Sequence, residues 1–439
     1  MSTSVSAGDT AWVLVSSALV LLMLPGLALF YGGLVRARAT LNTFMMSFAA
    51  VAVVTVQWAL FGYSLAFGEG GFAGGLDWIG LSGVGAAPGP YSATVPHFAF
   101  VVFQSLFAGL AVALISGAAV ERIRFSAYIG FSLLWSTLVY DPLAHWVWAS
   151  DGWLRGLGAL DFAGGTVVHI AAGTAALVVA MFLGRRRDVG RTPLLPHNVP
   201  FTLVGAGLLW VGWFGFNGGS ALAADGIATT AVITTHMAAA AALVTWLALD
   251  VWRSRQATAV GGATGAVVGL VAITPAAGYV SPLSALVIGA IAASASFAAI
   301  QIRTRTKVDD ALDVFACHGV AGIVGALLTG VCASRAINPA GADGLIFGNV
   351  RPVLVQGLAV VCTIAYVAPV TLFIMKLISA VSEIRVRVTD ELTGVDLSEH
   401  GEHAYHGADT LEGGGHGVRL GEGVIIEPAA KAADVSAAA

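Results

Sequence analysis

Charge is scarce in this sequence. Lysine, arginine, aspartate and glutamate together make up 10% of its 439 residues, where soluble globular chains carry about a quarter. That is too little to coat a soluble protein of this size, so lipid must be the solvent for much of the chain. No block of basic residues occurs and the formal net charge is −4, which argues against a nucleic-acid partner. Cysteine is scarce too. Cys317, Cys332 and Cys362 all fall inside apolar runs without CxxC spacing, so neither a disulfide framework nor a metal site is expected. There is no HExxH, no GxxxxGK[ST] phosphate loop and no nucleophile–base set, so neither an enzyme nor a cofactor is expected.

What is present is apolar. Hydrophobic residues reach 57% and the mean hydropathy is +0.85. The 55 glycines show no collagen-like period and fit close helix packing in a membrane. A membrane helix needs about 20 mostly apolar residues. Eleven runs qualify: 11–35, 41–67, 97–120, 125–148, 162–184, 199–222, 227–250, 258–275, 281–301, 311–333 and 352–380. Nothing basic precedes the first, and it is longer than the apolar part of a signal peptide, so it is read as a retained helix.

Basic residues set the orientation. With residues 1–10 outside, sixteen basic residues fall on the cytoplasmic side, from Arg36 and Arg38 to Arg385 and Arg387. Only Arg155, Arg335 and Arg351 fall outside. The C-terminus is then cytoplasmic.

The first ten spans read as two related halves. Asp161 is followed eight residues later by His169 and then by Gly173; Asp310 is followed eight later by His318 and then by Gly322. Phe30-Tyr31-Gly32-Gly33 in span 1 likewise matches Phe216-Asn217-Gly218-Gly219 in span 6. Halves of five spans run in opposite directions, so the repeat is inverted, and such folds place their site near mid-membrane between the halves. The expectation is an all-α polytopic membrane protein with eleven transmembrane helices: a 5+5 inverted repeat over 11–184 and 199–333 plus an eleventh helix, 352–380.

An ionisable residue deep in a span is a functional hypothesis by default. His169 and His318 each lie roughly 10–12 Å along their helices, which brings both towards the midplane, where the repeat would make them symmetry partners. Two neutral imidazoles can share one hydrogen bond and leave other nitrogens facing a narrow pore; the competing reading is two separate packing histidines. Asp161, at the outer start of span 5, is open to two readings, as a helix cap or as an electrostatic support for an arriving cation. Phe103 and Phe107 share a helix face, Trp148 ends span 4, and Phe216 and Ser220 lie four apart. These serve either as cation–π surfaces with a hydrogen-bond acceptor or as ordinary packing and belt aromatics. Asp141 and His145 read as structural, and His236 and Asp313 as bonds to neighbouring helices, outside the pore.

Asp161-Phe-Ala-Gly-Gly-Thr-Val-Val-His169 resembles the signature of the ammonium transporter family, the Amt/Mep/Rh group. So do the stretch around Phe30, Val120-Glu121-Arg122-Ile-Arg-Phe125, Trp213-Phe-Gly-Phe216-Asn-Gly-Gly-Ser220, and Asp309-Asp310 followed by His318. The resemblance spans residues 10 to about 406 and points to the Amt branch. It implies a homotrimer in a plasma membrane, in bacteria the inner membrane, with one pore per subunit. Phe107, Trp148 and Ser220 would recruit ammonium, Phe107 and Phe216 would form a stacked gate, Asp161 would stabilise the cation, and His169 and His318 would line the pore. Residues 381–406 resemble the family's cytoplasmic regulatory segment, and a PII-type signalling protein is the partner implied at that face. Residues 407–439 read as a disordered tail. The implied activity is recruitment and deprotonation of ammonium and conduction of ammonia, with or without the proton. An ammonium sensor that transports little is the alternative.

Overall fold

The computed structural model describes residues 4–191 and 194–405. The eleven apolar runs form eleven helices: α1 Ala7–Leu34, α2 Ala37–Phe67, α3 His97–Ala119, α4 over residues 125–148, α5 Gly165–Leu183, α6 Val199–Gly219, α7 Gly226–Ser254, α8 Ala259–Ile273, α9 Pro282–Arg303, α10 Phe315–Cys332 and α11 Arg351–Val381. Nine are long and apolar enough to cross a membrane by themselves. The other two are α4, which carries Asp141 and His145, and α8, whose 15 residues rise only about 22 Å before a buried turn through Pro275. Among the described residues there is no strand, only isolated bridge contacts.

The sequence boundaries hold to within four residues; α1 and α2 start earlier than expected and α7 ends later, while α5 and α10 start later. Both were expected to start earlier, at 162 and 311. In each, the leading residues form a turn instead, with left-handed backbone at Gly164 (φ 111°) and Asp313 (φ 56°). The helix that follows opens with a widened π-turn, Gly165–Ile170 in one half and Phe315–Val320 in the other. The repeated sequence thus folds into a repeated irregularity, and each π-turn contains the histidine.

Glycine sets how closely the halves meet. A Cβ on Gly205 of α6 would fall 2.3 Å from the Phe30 amide nitrogen of α1. A Cβ on Gly173 of α5 would fall 2.2 Å from the Gly319 nitrogen of α10. Backbone therefore lies on backbone at both crossings, the close approach that small residues permit between membrane helices.

Two faces result. On the N-terminal face, long loops fold over the helix ends. On the C-terminal face, buried charges converge. Arg36 pairs with Glu121 (2.8 Å), Arg122 with Asp309 (2.6 Å), and Arg186 with Asp309 (2.9 Å) and Glu121 (3.3 Å). Burial alone would raise the Asp309 carboxyl, but hydrogen bonds from Arg186 and the charges of Arg186 and Arg122 outweigh it and hold the group at about 2.

The segment after α11 docks onto this face as two short helices, α12 Val388–Thr393 and α13 Val395–His400. The Asp396 carboxylate accepts from the Leu41 and Asn42 amides (3.0 and 2.8 Å), and Glu399 accepts from the Phe125 amide (2.8 Å). Acidic side chains of the tail thus satisfy free N–H groups near the starts of α2 and α4, where negative charge is favoured. His400 lies 2.9 Å from the Asn42 amide oxygen, and Tyr405 lies 2.9 Å from His197. The expectation for residues 407–439 falls outside the described residues.

Candidate functional site

Three cavities lie in succession along the line between the two halves. A vestibule of about 630 Å³ on the N-terminal face is lined by Phe107, Trp148, Asp161 and Ser220, among others. A central cavity of only about 20 Å³ is lined by Phe216, Trp213, His169, His318 and Tyr31. That is room for about one water. A third, of about 340 Å³, is lined by His318, Tyr31, Gln301 and Asp313 on the C-terminal side. Phe107 and Phe216 stack between the first two, with centroids 4.0 Å apart and planes within 22°. His318 belongs to the walls of both the second and the third.

Asp161 shapes the local chain around the first histidine. Its carboxylate accepts from the amides of Gly164 (2.8 Å), Gly165 (2.7 Å), Thr166 (2.8 Å) and Val167 (3.2 Å). These are the free donors of the first turn of α5, so the capping reading of Asp161 describes its hydrogen bonds. The His169 amide then reaches back five residues to the Gly164 carbonyl, at 3.0 Å. Across the repeat, Asp310 accepts from the Phe315 amide at 2.7 Å.

The two histidines meet. Their Nδ1 atoms are 3.3 Å apart and their planes are within 20°. One Nδ1 must carry a proton and the other must not for this contact to be a hydrogen bond. Trp213 lies parallel to the His169 ring, at 5.4 Å and 20°. Both histidines are buried, at 1% and 3% exposed, and His169 Nε2 has no hydrogen-bond partner among the described residues. An orphaned polar nitrogen beside an apolar cavity carries a desolvation cost of about 1–3 kcal/mol. A small hydrogen-bonding molecule in that cavity would relieve it.

The residues of the vestibule are held by neighbours. The Ser220 hydroxyl donates to the Phe216 carbonyl (2.8 Å), which leaves its lone pairs free to accept. The Trp148 indole N–H donates to the Asp161 carbonyl (3.0 Å), and the Trp148 carbonyl accepts from Arg155 (2.5 Å). Phe107 and Trp148 meet edge to face at 6.3 Å. Phe103 packs on Phe107 at 4.8 Å but stands behind it, outside the cavity walls.

Among the residues set aside as structural, Asp141 accepts from Gln57 (2.6 Å) between α4 and α2. His145 lies 3.2 Å from the Gly70 carbonyl, and His236 packs against the rings of Trp210 and Phe214. Asp313 is a correction. It pairs with Arg303 at 2.5 Å, as a bond to a neighbouring helix, yet it also lines the third cavity. Trp213, Phe30 and Tyr31 are wall residues that the sequence reading left without a role, although all three sit in motifs it had singled out.

A sequence profile described as Ammonium Transporter Family matches residues 11–405. The ammonium transporter of Bacillus subtilis (strain 168) is 48% identical over 400 residues, covering 91% of this chain and 98% of that protein. The crystal structure of Saccharomyces cerevisiae Mep2 superposes with a TM-score of 0.83 at 37% identity, covering 88% of this chain and 90% of the other. A structure described as a Sensor Amt Protein superposes with a TM-score of 0.81 at 27% identity, covering 90% and 98%.

Proposed function

The chain belongs to the ammonium transporter family, whose members are transporters and not enzymes, and we propose a specific route by which it carries ammonium across a membrane. Ammonium collects in the N-terminal vestibule, against the faces of Trp148 and Phe107 and the free lone pairs of Ser220. It passes the Phe107–Phe216 stack as the rings shift, gives up a proton, and crosses past His169 and His318 as ammonia. The observation that carries this reading is the succession of a stacked aromatic pair at 4.0 Å and a histidine pair at 3.3 Å on either side of a cavity about one water wide.

The physical reason is desolvation. Moving an intact cation into a dry apolar passage costs several kcal/mol or more after relaxation. Ammonium can shed its charge as a proton and potassium cannot, so ions of similar size are separated by chemistry. Ammonia is both donor and acceptor, and His169 Nε2 is the partner awaiting it. The released proton either follows along the histidine pair, giving net charge transfer, or stays behind, giving net-neutral transport. Asp161 supports the cation through the field of its carboxylate while its oxygens remain bonded to the α5 amides.

The same reading places the N-terminus outside and the basic C-terminal face in the cytoplasm of a plasma membrane, in bacteria the inner membrane. Three copies would assemble, each with its own pathway. The wide apolar exposure of Leu14, Val15, Val244, Leu283 and Leu354 requires lipid or further subunits to cover it. The docked tail would present a face to a PII-type protein.

The test is current on solid-supported membranes carrying proteoliposomes, pulsed with ammonium and then with potassium, beside a pH-dye assay of ammonia entry. An ammonium-specific transient that scales with protein supports charge-carrying transport. Dye response without current supports net-neutral conduction. Silence in both favours the sensor reading, which the likeness to the Sensor Amt Protein keeps in view.

A further inference from the structure

The vestibule proposed to gather a cation has a fixed positive charge in its wall. Among the described residues lining it, Arg155 is the one cation and Asp161 the one anion. The two are not equivalent. Asp161 is 7% exposed and its carboxylate is committed to four amides, whereas Arg155 is exposed to solvent. Arg155 stands on the one-turn helix Trp153–Leu157, and its guanidinium donates to the Trp148 carbonyl at 2.5 Å. That bond holds the charge at the same residue whose ring faces the vestibule.

We propose that Arg155 sets the ammonium affinity of the outer vestibule by its charge, holding it weaker than the aromatic–serine site alone would give. This rests on the transport reading above. A vestibule of about 630 Å³ is about one Debye length across at physiological ionic strength, ~8 Å. A unit charge at that range in water shifts local cation occupancy by about two- to threefold at low ionic strength, where it is unscreened, and by roughly 1.4-fold at physiological ionic strength. A weaker outer site releases its cation onward more readily, and the repulsion also thins out competing cations, potassium among them.

The experiment is ammonium-dependent current in proteoliposomes for wild type, Arg155→Lys, Arg155→Gln and Arg155→Glu, each at low and at high ionic strength. The expected order of half-saturating ammonium at low ionic strength is wild type and Lys together, then Gln about two- to threefold lower, then Glu lower again by a similar factor, with maximal current little changed. At about 1 M salt, where the Debye length is roughly 3 Å, the differences should collapse. If Arg155→Lys behaves like Arg155→Gln, or if the shifts persist in high salt, the guanidinium acts by positioning Trp148 and the charge proposal is overturned. Equal half-saturation in all four also overturns it. Half-saturation is read from the pH-dye assay if wild type shows ammonia entry without current, and silence of wild type in both assays would instead overturn the transport reading, so the two failures are told apart.

Discussion

Asp161 and Asp310 occupy matching places in the two halves, each eight residues before its histidine and each just ahead of a π-turn. Asp161 has both carboxylate oxygens bonded, to four backbone amides in all. Asp310 accepts from the Phe315 amide at 2.7 Å with the Val314 amide nearby, and its Oδ1 has no well-formed hydrogen bond among the described residues. Around Asp161 the wall is aromatic and the vestibule wide. Around Asp310 the neighbours are the buried ion pairs of Asp309 with Arg122 and Arg186. The repeat therefore delivers two histidines to one point and lets the approaches diverge: one end is a tightly hydrogen-bonded loop behind an aromatic mouth, the other a charge network under a docked tail.

The largest test of that difference removes the two carboxylates. Asp161→Ala strands four buried N–H groups, on the order of 4 kcal/mol or more at about 1 kcal/mol each, while Asp310→Ala strands fewer and should cost roughly 1–2 kcal/mol. Thermal unfolding in detergent would show it, and equal losses would break the comparison. The helix crossing gives the next effect. Gly173→Ala drives a methyl into the Gly319 backbone at 2.2 Å, whereas at Gly322 the nearest atoms, a side-chain carbon of Ile170 and the Gly165 carbonyl oxygen, are at 3.0 and 3.1 Å. Overpacking at the shorter distance should cost about 3 kcal/mol and at the longer about 1 kcal/mol, read by the same unfolding assay.

A third, smaller effect belongs to the C-terminal face. The Asp309 carboxyl is held at about 2, below its ordinary 3.8. Its contribution of about 2 kcal/mol is present above the ordinary value and is lost as pH falls from about 4 through about 2. Asp309→Asn should flatten the unfolding curve in that window and leave its shape at neutral pH unchanged. Smallest is the tail. Glu399→Gln removes one charged acceptor from the Phe125 amide, a cap of the kind worth about 1 kcal/mol. It should raise protease cutting between α11 and α13 with little change in global unfolding temperature.

The sequence made the helix count and the basic-residue asymmetry legible because each rests on composition over tens of residues, which lipid imposes directly. The twin histidines were legible because the Asp–eight–His spacing occurs twice. The turns at 161–164 and 310–313 were not, since hydropathy reads straight through Phe162-Ala163-Gly164 and Ala311-Leu312. They exist because the preceding aspartates take up the amides of the next turn. Asp313 was misplaced for the same reason: its left-handed backbone, φ 56°, sits in a turn that brings it to the wall of the inner cavity. The caps that Asp396 and Glu399 provide, and the bond of Arg155 to Trp148, depend on which loops meet in space. Trp213 was within reach, lying three residues before Phe216 in a motif already singled out.

The central claim is that the passage between Phe216 and His318 admits ammonia and refuses an intact cation. The most direct measurement compares ammonium and potassium responses, as current and as pH-dye signal, in proteoliposomes of wild type and His169→Ala, with His318→Ala beside it. The account predicts an ammonium response and no potassium response in wild type, and a loss of that discrimination in the alanine variants, where water and ions enter the widened cavity. A wild-type potassium current of similar size, or a His169→Ala protein that still carries ammonium with its selectivity intact, would contradict it.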